Sequence, residues 1–260
     1  RRVMALAWSA VALAVTLGFL APRAIVKASV PNEWTIAQCD VGQGDALLLR
    51  SADRVALIDM GEDPRLLTEC LDLLGIRQID LAVISHFDID HVGGWPAIAG
   101  TTLEVWRGPA VVEEDREISR ALQLAGAAVV EVSAGHSAVL GSHVLEVLWP
   151  GSEGLSEAGN DSSVVVAVRP LADCSDCLSG VFLGDVGEIP QRILSGREKL
   201  PRFDVVKVSH HGSADQFAGL YAEISARVGL LGVGADNTYR HPTDVALDIL
   251  RTQGSTPLRS

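Results

Sequence analysis

Apolar positions along this 260-residue chain follow three patterns. The first is one unbroken run, "VMALAWSAVALAVTLGFLA", in which 19 residues from Val3 to Ala21 carry no charge. As a helix rising about 1.5 Å per residue it spans about 28 Å, close to the hydrocarbon thickness of a bilayer. A core helix of this length would normally carry a polar face, and this run has almost none. It reads as a membrane span. A secretory signal peptide is the rival reading, because "RR" precedes the run and Val26-Lys27-Ala28 loosely fits a cleavage site. Both readings are compatible with export of the remainder of the chain. Arg1 and Arg2 flank one end, and Arg23 and Lys27 flank the other, so the positive-inside rule gives no orientation.

The second pattern is short apolar runs broken by glycine, which predict strands over 35–40, 46–50, 55–59, 81–85, 128–132, 143–149, 163–168, 180–185 and 203–209. The third has helical spacing. In 63–75 the apolar residues fall at 66, 67, 70, 71, 73 and 74, and Gly75 is the stop. Further helices are expected over 113–127, 189–195 and 242–254. Strands and helices mix, with long runs of consecutive strands, so two packed sheets with helices outside is the natural layering. The predicted organisation is an apolar helix and linker over 1–33, then one α/β domain over 34–260. The chain ends at "TPLRS" soon after the last helix, so a final strand is expected to be missing.

Charge narrows the function. Four of the 21 basic residues flank the apolar run, leaving 17 against 33 acidic residues, a net of −16. Such a surface is poorly suited to passive nucleic-acid binding, which relies on Lys and Arg to neutralise phosphates. A polyanionic substrate would need bound cations or other parts of a longer chain. Cys174-Ser175-Asp176-Cys177 is a lone CxxC without the second pair of a zinc ribbon, and reads as a local disulfide or free thiols at a hairpin tip.

The candidate chemistry lies at strand ends. The 81–85 run leads into "SHFDIDHVGG", which holds His86, Asp88, Asp90 and His91. The 180–184 run ends in Asp185, and the 203–209 run in His210-His211-Gly212-Ser213. Carboxylates and imidazoles clustered at strand ends let a rigid sheet hold metal ligands while loops stay open to substrate. His136 and His143 have no acidic neighbours and read as structural. Asp59 reads as a supporting or structural carboxylate. Asp40, Gln43 and Asp45 flank a glycine turn and are either turn residues or a lip of the site.

Segments "DVGQGDALLL", "LIDMG", "SHFDIDHVGG", "NDSSVVV", "FLGDVGE", "KVSHHGS" and "YRHPT" occur in the order seen in the C-terminal domain of ComEC-type DNA-uptake channel proteins. The resemblance covers about residues 34–252, and "HFDIDH" resembles the HxHxDH signature of the metallo-β-lactamase superfamily with Asp in place of the second His. The resemblance implies an αββα metallo-β-lactamase sandwich preceded by one transmembrane-type helix. It also implies two divalent metal ions, Mn²⁺ favoured and Zn²⁺ or Mg²⁺ the alternatives; Asp88, a harder ligand than His, shifts preference away from Zn²⁺ toward Mn²⁺ or Mg²⁺. His86 and Asp88 would hold one ion, Asp90, His91 and His210 the other, and Asp185 would bridge. His211 and Ser213 would contact substrate. Asp90 would orient the attacking water, and His241 would contact phosphate or donate a proton. The histidine that many relatives carry ahead of the bridging Asp is missing, and Asn160, Asp161 or water stands in its place. The implied activity is metal-dependent hydrolysis of DNA, degrading the strand that is not imported. The implied partners are single-stranded DNA, the membrane, the rest of the channel protein and other uptake components. The domain is expected at the cell membrane, on its extracytoplasmic side. A lactone, thioester or β-lactam hydrolase and a non-catalytic DNA-guiding module are the alternatives.

Overall fold

The computed structural model describes residues 26, 29–31, 33–151, 159–197 and 199–260. The apolar run over 3–21 lies outside them, and among the described residues no helix is long and apolar enough to cross a membrane.

Two sheets form the centre of the domain. The first contains β1 (Ile36–Gln38), β2 (Leu47–Ser51), β3 (Arg54–Ile58), β4 (Ile79–Ile84), β5 (Thr102–Arg107) and β6 (Ala128–Glu131), side by side in that order. The second contains β7 (Ser137–Leu140), β8 (His143–Trp149), β9 (Val165–Pro170), β10 (Gly180–Phe182), β11 (Val205–Lys207), β12 (Val228–Leu231) and β13 (Thr256–Arg259), again in sequence order. Each sheet begins antiparallel and continues parallel. The change comes at β3–β4 in the first and at β10–β11 in the second. The sequence shows no repeat that would announce this likeness.

Side-chain alternation builds three apolar layers from two sheets. Leu47, Leu49, Ala56 and Ile58 face the second sheet and meet Val166 and Val168 in the central core. Their neighbours Leu48, Val55 and Leu57 point outward to the helices α1 (Pro64–Leu73) and α3 (Glu113–Leu124). Val165 and Ala167 do the same for the second sheet, under α4 (Glu188–Arg197), α5 (Ala218–Ile224) and α6 (Asp244–Thr252). The result is the expected helix–sheet–sheet–helix sandwich. Central strands buried on both faces read as continuous apolar runs, which is why they were legible. β5 was not, because Glu104 interrupts it, and β7 was not, because its apolar run is only three residues long. The final strand expected to be missing is present: the tail itself forms β13, which pairs parallel with β12 from Val228 opposite Thr256 to Leu231 opposite Arg259.

Two disulfides are closed. Cys174–Cys177 takes the first of its two expected forms. Cys39–Cys70, which no spacing in the sequence announces, ties the loop after β1 to α1 across 31 residues. A loop of that length corresponds to about 3–4 kcal/mol of stabilisation in the chain-entropy picture.

Candidate metal centre

Parallel strands deliver their carboxyl ends to one edge of the sandwich, and the polar groups gather there. From the first sheet come Asp59 after β3 and Ser85–His86 after β4. The one-turn helix α2 (Ile89–Val92) then turns His91 into the interior, with Asp90 beside it. From the second come Asp185 after β10, Lys207 at the end of β11, and the turn Ser209–Gly212. Asp45, from the β1–β2 loop, closes the floor. Its close fit depends on two glycines: a Cβ at Gly44 would collide with the Asp90 carbonyl, and one at Gly232 with Gly44 and Asp45.

The innermost atoms converge. His91 Nε2 lies 3.2 Å from His211 Nε2, and these two nitrogens lie 3.2 and 3.3 Å from Asp185 Oδ2. Three atoms so spaced have a common centre about 1.9 Å from each, near the roughly 2.0–2.2 Å of metal–nitrogen and metal–oxygen bonds. Asp90 Oδ2 lies 3.1 Å from His211 Nε2. Asp45, His91, Asp185 and His211 each offer a ligand-type atom within 4.8 Å of the others, and all four are buried.

Supporting bonds aim these groups. Asp59 Oδ2 accepts from His91 Nδ1 at 2.9 Å, which turns Nε2 toward the cluster. The same carboxylate accepts from Ser85 Oγ at 2.8 Å, and Ser85 Oγ lies 3.0 Å from His86 Nδ1. One aspartate therefore orients two imidazoles. His86 Nε2 is left buried and without a hydrogen-bond partner, 3.6 Å from Asp88 Oδ2. Lys207 Nζ donates to Gly184 O at 2.8 Å and Asp185 Oδ1 at 3.0 Å, and forms an ion pair with Asp45. Lys207 occupies one oxygen of Asp185 and leaves the other facing the histidines.

The charges demand cations. Asp45, Asp59 and Asp185 are buried, and buried charges are costly unless paired. Burial works against the Lys207 charge, but Asp185 and Asp45 outweigh it and hold its pKa above the usual lysine value. Burial likewise disfavours charged His91, yet Asp185 and Asp59 raise its pKa well above the usual imidazole range. For His211 burial is outweighed by Asp45 and Asp185, which lift the pKa to about 9. Burial would raise Asp90, but His211 and His91 bring it down to about 2. The raised pKa values favour protonated imidazoles where a cation would sit. Converging carboxylate and imidazole donors, with an orphaned His86 nitrogen beside them, fit a divalent ion of the first transition row.

The structure exchanges the places of the adjacent histidines. His211, expected to touch substrate, is in the buried cluster. His210, expected as the ligand, stands outside with Nε2 3.9 Å from Asp185 Oδ2. Both residues take left-handed backbone, φ 47° and 52°, and this turn sends the second ring inward. Asn160 Nδ2 lies 3.4 and 3.5 Å from the ring nitrogens of His210, while Asp161 is engaged with the Gly187 N–H at 3.0 Å. Ser213 is buried, and its Oγ accepts from the Asp215 N–H at 3.3 Å. His241 stands beside His210 with ring centroids 5.6 Å apart, and burial lowers its pKa. His143 pairs with Ser51 at 2.7 Å and His136 edges onto Trp106, both as parts of the packing. A cavity of 290 Å³ opens beside His86 and Asp88, lined also by Phe87, Pro109, Val112 and Asp115. Lys207 was missed; its signal was a single lysine inside an apolar strand, which cannot be buried without partners.

Residues 39–150 match the family model described as the metallo-beta-lactamase superfamily. Among curated proteins, the chain is 23% identical over 254 residues to ComE operon protein 3 of Bacillus subtilis, covering 88% of this chain and 32% of that protein. It is 28% identical over 262 residues to competence protein ComA of Neisseria gonorrhoeae, covering 97% of this chain and 34% of that protein. The chain thus spans about a third of the length of these relatives. Among solved structures it is similar to the metallo-beta-lactamase fold protein YhfI from Bacillus subtilis, with TM-score 0.55, 11% identity, 86% of this chain and 95% of that one. It is also similar to CmlA, a diiron beta-hydroxylase from Streptomyces venezuelae, with TM-score 0.58, 16% identity, 89% and 54%. A diphosphatase of the PhnP family matches with TM-score 0.51 and 12% identity over 86% of this chain and 94% of that one. These likenesses show the fold, which is the metallo-β-lactamase fold.

Proposed function

We propose that the domain is a metal-dependent hydrolase that cleaves phosphodiester bonds in DNA. In this reading it degrades the strand that is not imported during DNA uptake. The observation that carries it is the convergence of His91, Asp185 and His211 with atoms 3.2–3.3 Å apart, with Asp90 Oδ2 3.1 Å from His211. The likeness to two proteins named for competence supports DNA as the substrate.

In this reading Asp90, His91, Asp185 and His211 hold one divalent ion. His86 and Asp88 contribute to a second, with His210 and Asn160 close by, and Mn²⁺ is the favoured metal. Bound ions of this kind lower the pKa of water, polarise the phosphoryl oxygen and stabilise the leaving alkoxide. Asp90 orients the water, Asp59 keeps His91 and His86 in the ligating tautomer, and Lys207 holds Asp185 in place. His241 contacts phosphate or returns a proton to the leaving oxygen, and Ser213 with the Gly212 amide lies on the substrate side. Disulfides persist in oxidising compartments, so Cys39–Cys70 supports an extracytoplasmic domain at the cell membrane. Its partners there are single-stranded DNA, the remainder of a channel protein and other uptake components.

A second reading is favoured by the cavity beside His86. At 290 Å³ it suits a small molecule, so a hydrolase of a lactone, thioester or β-lactam is the alternative. Purified protein incubated with single-stranded DNA and Mn²⁺, beside an Asp90→Ala, His91→Ala variant, separates them. Cleavage by the parent alone is expected. Equal cleavage by both proteins, or by neither, removes the nuclease reading.

A further inference from the structure

Tyr239 is 68% exposed, whereas the chain's other tyrosine, Tyr221, is buried. Its ring stacks on His241, with centroids 6.0 Å apart and planes 29° apart. His241 in turn meets His210 edge to face at 5.6 Å, and His210 Nε2 stands 3.9 Å from Asp185. Three rings thus form a ladder from solvent to the metal centre. Its loop is fixed. Asn237 Nδ2 donates to Gly234 O at 3.0 Å and His241 O at 3.1 Å, and Asn237 Oδ1 accepts the His241 N–H at 3.2 Å. Thr243 ties the far end to the histidine turn, donating from N and Oγ1 to Gly212 O at 2.8 and 3.0 Å.

We propose that Tyr239 is a stacking platform for one nucleobase of a single-stranded substrate, holding the strand beside the metal centre. The assignment rests on the nuclease reading and adds how such a substrate is held. A chain of net charge −12 cannot hold a polyanion by neutralising phosphates along its length. Stacking on an aromatic face needs no charge and tolerates every base. A tyrosine on a clamped loop also loses little conformational freedom on binding. The ladder is continuous with the cluster, so a base on its outer rung keeps its own strand near the ligands.

The test compares an oligothymidylate with the same oligomer built from abasic residues, on the parent protein and on Tyr239→Ala and Tyr239→Phe, with Mn²⁺ present. The parent is expected to show a KM about tenfold lower for the oligomer with bases. Tyr239→Phe keeps that ratio, and Tyr239→Ala brings it close to one. A parent KM that ignores the bases, or a ratio that survives in Tyr239→Ala, overturns the platform. If the parent cleaves neither oligomer, the nuclease reading falls instead. Fluorescence anisotropy with the same two oligomers then judges the platform alone, by whether binding favours bases in the parent and not in Tyr239→Ala.

Discussion

The two halves of the metal centre are built to different standards. In the inner half, two groups have a partner that aims them, Asp59 for His91 and Lys207 for Asp185, and His211 Nδ1 lies 3.5 Å from Asp45 without a hydrogen bond. The outer half is looser. His86 has Ser85 behind it, but the Asp88 side chain is 58% exposed, and His210 is partly exposed beside Asn160. Prealigned donors bind metal without first being ordered, so the inner half should hold an ion more tightly than the outer.

The largest contrast should come from the adjacent histidines. His211→Ala should remove the tightly held ion, costing more than the roughly 10–100-fold in affinity that loss of a mere supporting partner costs. His210→Ala should leave that ion in place. Metal content after gel filtration, measured by mass spectrometry, reads both, and the reverse order would put the tight site in the outer half.

Asp59→Asn should act next in size. Because Asp59 orients His91 directly and His86 through Ser85, its loss should weaken both halves by roughly 10–100-fold. A metal titration showing two equally shifted constants agrees with this. A shift confined to one constant would mean the Ser85 relay does not reach His86.

The smallest effect is in the metal-free protein. His91 and His211 have folded pKa values above their unfolded ones, and His211 reaches about 9. The stability they add is complete below the unfolded value of 6.5 and is lost as pH rises through 9. The thermal midpoint in chelator should therefore fall between those pH values. With Mn²⁺ saturating it should not fall, because binding requires deprotonated imidazole. A flat profile in chelator would show that the histidines carry no extra proton in the metal-free fold.

How much of this could be read beforehand depended on distance along the chain. The candidate ligands within "HFDIDH" stand out because their spacing lies inside six residues. Asp185 was legible because it ends an apolar strand. Asp45 was not resolved, since a carboxylate just after a glycine turn looks like ordinary turn chemistry until the sheets close and bring Lys207 and His211 against it. The choice between His210 and His211 was set by two left-handed residues, a feature that the following glycine alone does not specify. The fold was plainer than the site. Apolar runs mark central strands, whereas β5, β7, β12 and β13 were not recognised.

Lys207 bears on when the metal arrives. A zinc finger has no fold to offer before its ion binds. Here Lys207 already pairs with Asp45 and Asp185, and the raised pKa values of His91 and His211 favour protons beside them, so the buried carboxylates have partners before an ion binds. Loading is then an exchange of protons for a cation. Its measured heat depends on the buffer that receives those protons, and the ion acquired depends on the pool that the finished domain meets.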